Sequence, residues 1–206
     1  MLKIKLTRKM LAIPYAIFMV LFVVIPLFLV IFYAFTDAEG SFSFGNVITF
    51  FSNSTNLNTF VISILIGVAT TALCLLIGYP VAMILAKKEY NFGGVFVLLF
   101  VMPMWINFVL RTAATRDLLF WMGISGGEQP YLATMIGMVY NYLPFVILPL
   151  YTTMLKMDKS LIEASMDLGA NKVQTFIKTI IPMTMPGIIS AASMVFMPTF
   201  LFSREE

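Results

Sequence analysis

Long apolar runs separated by short polar segments dominate the chain. The first run covers 11–35 and follows a start that carries Lys3, Lys5, Arg8 and Lys9. A signal peptide has an apolar core of only about 7–15 residues and a small-residue cleavage site. This run is longer and passes into Tyr33-Ala34-Phe35-Thr36-Asp37, so it predicts an uncleaved first span. Pro14 and Pro26 within it are tolerable, because neighbouring helices re-satisfy the freed carbonyls. The polar stretch 37–58 lacks Lys and Arg and predicts an outer loop with a short interfacial helix around Val47 to Phe51. A second span is predicted over 59–86, where Thr70, Cys74, Gly78, Ala82 and Ala86 recur every four residues as a small-residue stripe that admits a close helix neighbour. The turn Asn91-Phe92-Gly93-Gly94 leads into a third span over 95–110, which contains Pro103 and closes with Trp105 and Asn107 near an interface. Residues 111–130 read as a second outer loop, 131–153 as a fourth span, and 183–202 as a fifth of about 20 residues, enough to cross a hydrocarbon core of about 30 Å.

One long stretch breaks this pattern by being polar and periodic. It is 158–187, DKSLIEASMDLGANKVQTFIKTIIPMTMPG. Ser160 followed by Glu163 is a capping-box signature. Leu161, Ala164, Ser165 and Leu168 recur at i, i+3, i+4 and i+7, a narrow apolar stripe, with Glu163 and Asp167 on another face. Gly169 follows the last periodic residue, where the left-handed conformation is cheap only for glycine. Asn171 and Gln174 repeat the capping logic and open a second helix that runs towards Pro182. The pattern predicts a helix–Gly–helix hairpin outside the bilayer.

Composition turns these runs into membrane spans. The chain is 60% hydrophobic and 11% charged, with mean hydropathy +0.95, against about 45–50% apolar and 25% charged for soluble domains. The expected fold class is an all-α membrane protein of about five transmembrane helices, forming one transmembrane domain over 1–206. There is no His, and the single Cys74 lies in an apolar run. That removes an intrachain disulfide, His-dependent triads and the usual zinc sites. The 16 Met residues are scattered and read as packing filler, with no metal site among them. A phosphate-binding G-x4-G-K-[ST] loop is absent, so no nucleotide chemistry is expected of this chain.

Charge placement gives the orientation. With the N-terminus cytoplasmic, the inner segments hold Lys3, Lys5, Arg8, Lys9, Lys87, Lys88, Lys156, Lys159, Lys172 and Lys178, and the outer ones only Arg111, Arg116 and Arg204. The hairpin 158–187 is then cytoplasmic. The net charge of +3 is distributed by side of the membrane and does not suggest nucleic acid.

Glu163-Ala164-Ser165-x3-Gly169-Ala170, with Ile181-Pro182 and Pro186-Gly187 after it, resembles the EAA loop of bacterial ABC-importer permease subunits. Ser165, Thr179 and Ile181 are mild departures from that pattern. Three segments add a resemblance to the first permease subunit of spermidine/putrescine importers. They are Leu76-Ile77-Gly78-Tyr79-Pro80, Val139-Tyr140-x2-Leu143-Pro144-Phe145-x3-Pro149-Leu150-Tyr151 and the run from Asp158 to Ala170. The resemblance implies that Leu161, Glu163, Ala164, Asp167, Leu168, Gly169 and Ala170 form a coupling helix docked on a cytoplasmic ABC ATPase dimer. It also implies a second permease subunit, an extracellular or periplasmic substrate-binding protein, and a place in the bacterial plasma membrane. ATP is bound by the partner ATPases, and no cofactor is expected here.

The substrate path is less specified. A polyamine requires carboxylates and aromatic faces. The available residues are Trp105, Asp117, Glu128, Tyr140, Asn141 and Tyr142. Against four of them stands a plainer role: interfacial anchoring for Trp105, as for Trp121, solvation for Asp117 and Glu128, and interhelical hydrogen bonding for Asn141. The resemblance also implies a sixth span, whereas the sequence passes from Met197-Pro198-Thr199-Phe200-Leu201-Phe202 into Ser203-Arg204-Glu205-Glu206, so the expectation is a truncated chain. The alternatives are an ABC permease for another small solute and a truncated, non-functional permease. A membrane-embedded enzyme is disfavoured by the missing His and the lack of paired intramembrane acids.

Overall fold

The computed structural model describes residues 8–37, 40–87 and 93–202. Lys3, Lys5, Lys88, Asn91 and Phe92 of the turn before the third span, and the last four residues, Arg204 among them, lie outside the described residues. By contacts the chain forms two units, 1–59 and 60–206. Among the described residues there is no strand, only an isolated bridge between Thr36 and Phe42. Among the described residues four helices are long and apolar enough to cross a membrane, or five if a sharply bent pair counts as one span.

In the first unit α1 (Arg8–Met19) and α2 (Ile25–Ala34) are joined by a π-helical turn, Val20–Val24. The turn lies directly before Pro26. Proline has no N–H and its ring crowds the carbonyl four residues back, and here the ladder widens so that the Ile25 N–H bonds Val20 O. The side-chain amide of Asn46 donates to Tyr33 O (3.2 Å) and Thr36 O (3.0 Å), satisfying carbonyls at the end of α2. Asn46 lies in α3 (Gly45–Ser52), a helix where the short interfacial one is expected.

The second unit takes most of α4 (Ser54–Leu85), then α5 (Gly93–Val101), α6 (Phe108–Trp121), α7 (Pro130–Leu155), α8 (Lys159–Asp167), α9 (Lys172–Thr175) and α10 (Ile181–Phe202). Its core joins Cys74 and Ala82 of α4, Tyr142, Val146, Leu150 and Met154 of α7, and Ala191 and Val195 of α10. The small-residue stripe of α4 is used within the chain. Thr70, Cys74, Gly78 and Ala82 are all buried, and a Cβ on Gly78 would lie 2.6 Å from Val146 Cγ1. A Cβ on Gly187 of α10 would meet Thr153 Oγ1 at 2.6 Å and Pro149 O at 3.2 Å. Backbones approach this closely only where the side chain is absent.

Two expectations change. The third span is not a straight helix over 95–110. A 3₁₀ turn (Met102–Trp105) containing Pro103 ends α5, Ile106 is extended, and Asn107 starts α6 by accepting the Val109 N–H at 2.9 Å. The two halves meet at 96°. Asn107 is therefore an N-cap, and residues 111–121, expected as loop, continue a helix that starts at Phe108. The fifth span also begins earlier than 183. Helical structure runs through α9, the π-turn Phe176–Ile180 and α10, a membrane-length stretch over Lys172–Thr199. As at Pro26, the π-turn falls just before a proline, and Ile181 N–H bonds Phe176 O ahead of Pro182.

Candidate functional site

The hairpin begins with a cap different from the expected one. Ser160 and Glu163 do not form a capping box. Asp158 is the N-cap of α8, and its carboxylate accepts the Ser160 N–H at 3.0 Å. An aspartate two residues earlier offers a full negative charge to the helix N-terminus, which a serine cannot. The Ser160 backbone N–H, and after it the Ser160 side chain, hold the Asp158 carboxyl below the usual carboxylate range. The pKa is lowered on folding, so the stabilisation is present above the unfolded value and is lost as pH falls through the lowered folded one. Amide exchange at 160–163 should accelerate, relative to an uncapped reference helix, as pH drops through that acid window. Asp158→Asn, which keeps an acceptor without titrating, should flatten the dependence; an unchanged profile in Asp158→Asn would refute the capping account.

The far end of α8 closes with a complete Schellman turn. Gly169 has φ +87°, its N–H bonds Met166 O at 2.9 Å, and the Ala170 N–H bonds Ser165 O at 3.2 Å. The second cap is the predicted box: Gln174 N–H donates to Asn171 Oδ1 (2.9 Å), and Asn171 N–H to Gln174 Oε1 (3.0 Å). The predicted stripe divides. Ser165 turns towards the next helix, its hydroxyl 3.2 Å from Thr175 Oγ1 and 3.3 Å from Thr179 Oγ1. Leu161 and Leu168 stay uncovered, Leu168 at 90% exposure, and Glu163 and Asp167 are exposed as well. Leu161, Ala164, Leu168 and Ala170 line an open groove together with Lys178, Thr179, Pro182 and Met183. The helix thus carries an exposed apolar ridge with carboxylates on another face.

The helix after this hairpin is tied to the core. Thr184 Oγ1 bonds Ile180 O (2.9 Å) and lies 2.9 Å from the Tyr79 hydroxyl of α4. The Tyr79 ring meets Phe176 of the π-turn edge-on, at 5.7 Å.

The substrate-path candidates fall in different settings. Trp105 is 87% exposed at the elbow between α5 and α6. Asp117 is exposed on α6 and paired with Arg116 at 3.3 Å. Glu128 is exposed in the connection to α7, and Tyr140 is half exposed. Asn141 and Tyr142 are buried. Asn141 donates through Nδ2 to Thr112 Oγ1 (3.3 Å), and its carbonyl accepts from Arg111 Nη2 (3.5 Å). Arg111 was expected in an outer loop and is instead buried, because α6 folds back against α7. Asn107 beside an apolar run was the available signal for that helix.

Apolar spans around a tightly packed helical core, with a polar helical hairpin before the last span, define a multi-pass membrane protein. No family model matches the chain. It is 34% identical over 200 residues to the spermidine/putrescine transport system permease protein PotB of Escherichia coli K12, covering 87% of this chain and 72% of that protein. The Haemophilus influenzae PotB is 36% identical over 204 residues, covering 87% and 70%. A PotB homolog of Mycoplasma genitalium is 26% identical over 197 residues, covering 91% and 69%. The chain belongs to the PotB family of transport-system permease proteins, which are transporter subunits and not enzymes.

Proposed function

We propose that this chain is the membrane-spanning permease subunit of an ATP-driven polyamine importer, coupled to cytoplasmic ATPases through the hairpin 158–187. The single observation that carries the coupling is the hairpin's construction: an exposed ridge on α8, capped at both ends and continuous through α9 with the last span. In this reading Leu161, Ala164 and Leu168 enter a groove on the ATPase, and Glu163 and Asp167 pair with basic residues there. Gly169 makes the reversal and Ala170 follows it into the second helix. The Ser165 contacts to Thr175 and Thr179 make α8 and the following helix move together. ATP-driven closure of the ATPase dimer then displaces α10 and, through Tyr79 and Thr184, α4. The N-terminus is cytoplasmic in the bacterial plasma membrane, a second permease completes the pathway, and an external binding protein delivers substrate.

Polyamines are the proposed cargo because the PotB relatives carry spermidine and putrescine in their names. Cells expressing the complete transport system should accumulate radiolabelled spermidine and putrescine, with mutual competition. A strain lacking this chain should lose that uptake. Uptake of neither amine would sink the cargo assignment. One observation favours a second reading, a permease for another small solute: none of the four straight spans carries an acidic residue. In that case a non-amine solute would compete where polyamines do not.

A further inference from the structure

Arg111 is the one charged side chain buried among the described residues, at 8% exposure. From the first turns of α6 it reaches back to the elbow, where Nη1 donates to Pro103 O at 3.0 Å, and across to α7, where Nη2 donates to Asn141 O at 3.5 Å. Its guanidinium carbon lies 5.9 Å from the Phe108 ring centre. A guanidinium has five N–H groups and keeps its charge under all ordinary conditions. Two of them find acceptors here, both neutral carbonyls, and Nε is shielded from solvent with no partner. The neighbouring Asn141 Oδ1 is shielded and unpartnered too. Among the described residues no carboxylate lies within ion-pair distance of Arg111, since Asp117 pairs with Arg116. Carbonyl dipoles orient a guanidinium without neutralising it, and an ionisable group in an apolar helical layer calls for a counter-charge.

The cluster lies close beneath an uncovered surface. Thr112, which holds Asn141 Nδ2, is exposed, and Val109 and Leu110 beside Arg111 are 71% and 67% exposed. A partner helix laid on this apolar face of α6 would bring its side chains close to the guanidinium of Arg111, a residue that remains 8% accessible. Carboxylate is the group whose geometry matches a guanidinium best.

We propose that Arg111 is one half of an ion pair between subunits, completed by an Asp or Glu carboxylate from a membrane-embedded helix of the second permease. The carbonyls of Pro103 at the elbow and of Asn141 in α7 then hold the guanidinium in place beneath that surface. This rests on the reading that a second permease assembles with this chain.

The test uses the complete transporter. Wild-type chain is first shown to co-purify the second permease; failure at that step overturns the assembly reading and the ion pair with it. Arg111→Met and Arg111→Lys are then compared, alongside neutralisation (Asp→Asn, Glu→Gln) of each acid in the second permease's membrane-embedded segments. The expected result is a loss of co-purified second permease and of uptake of about tenfold or more in Arg111→Met, with partial recovery in Arg111→Lys. One partner acid should reproduce the loss when neutralised, and adding Arg111→Met to it should cause little further loss. The partner-side variants leave this chain unaltered, so the test survives misfolding of Arg111→Met. Assembly that is with Met as it is with Arg overturns the proposal. So does an Arg111→Met defect that no partner acid shares, which would assign the charge to a lipid phosphate or to its own elbow.

Discussion

Replacing Gly169 by proline is expected to abolish co-purification of the ATPase with this chain and to reduce uptake to background, while the amount of chain in the membrane stays near wild type. Gly169 sits at φ +87°, and proline is confined near −65°. Proline would also delete the N–H that bonds Met166 O, one of the two bonds of the Schellman turn. Both effects act on the junction that sets the angle of α8 against the helix entering the last span. The core of Cys74, Val146, Leu150 and Val195 lies elsewhere on the chain and does not depend on this turn. Gly169→Ala separates backbone strain from collision. Nothing lies within 4 Å of a Cβ at this position, so alanine should cost only the left-handed penalty of about 1–2 kcal/mol, a partial loss of coupling. ATPase association unchanged in Gly169→Pro would show that the reversal is not the coupling element.

The second large effect is expected at Gly78. A Cβ there would lie 2.6 Å from Val146 Cγ1 and 3.3 Å from Val146 Cβ. Both residues belong to the contact between α4 and α7, where neither helix can back away without opening the core around Cys74 and Leu150. Gly78→Leu should therefore prevent accumulation of folded protein. Gly78→Ala should destabilise by about 1–3 kcal/mol, the usual cost of overpacking, and Val146→Ala alone by the cost of a cavity. The double variant Gly78→Ala/Val146→Ala adds one methyl and removes two, among them the Cγ1 that would collide, and should melt above Gly78→Ala in detergent. A double variant no more stable than the sum of the two single losses would mean that the contact is not the constraint at this position.

These two glycines mark where sequence reasoning reached and where it stopped. Gly169 was readable because a helix terminus is a local event: the apolar stripe ends, glycine follows, and the chain conformation needs no distant partner. The Asn171–Gln174 box was readable for the same reason. The start of α8 lies two residues before the position Ser160 predicts, because Ser160 and Asp158 are both acceptable caps and only the folded geometry shows that the carboxylate takes the N–H. The stripe through Gly78 was legible as a close-packing surface, but its partner, Val146 of α7, was not. The π-turns before Pro26 and Pro182 follow from the proline ring, yet a proline is also compatible with a kink, and the choice is made by the surrounding helix.

The sequence by itself determined the class of molecule, the runs that form its spans and the capped hairpin between the last two. Each of these depends on solvent preference and on residues within one or two helical turns of each other. The elbow at 102–107, the continuity of α9 with α10 and the burial of Arg111 were decided only by tertiary structure. The bend lets α6 lie against α7, and Arg111 then finds the carbonyls of Pro103 and Asn141, the latter thirty residues away in the chain. A basic residue after an apolar run reads as solvated because most are. What overrides that reading is a fold-back that supplies acceptors from another helix, and that contact lies beyond any local pattern.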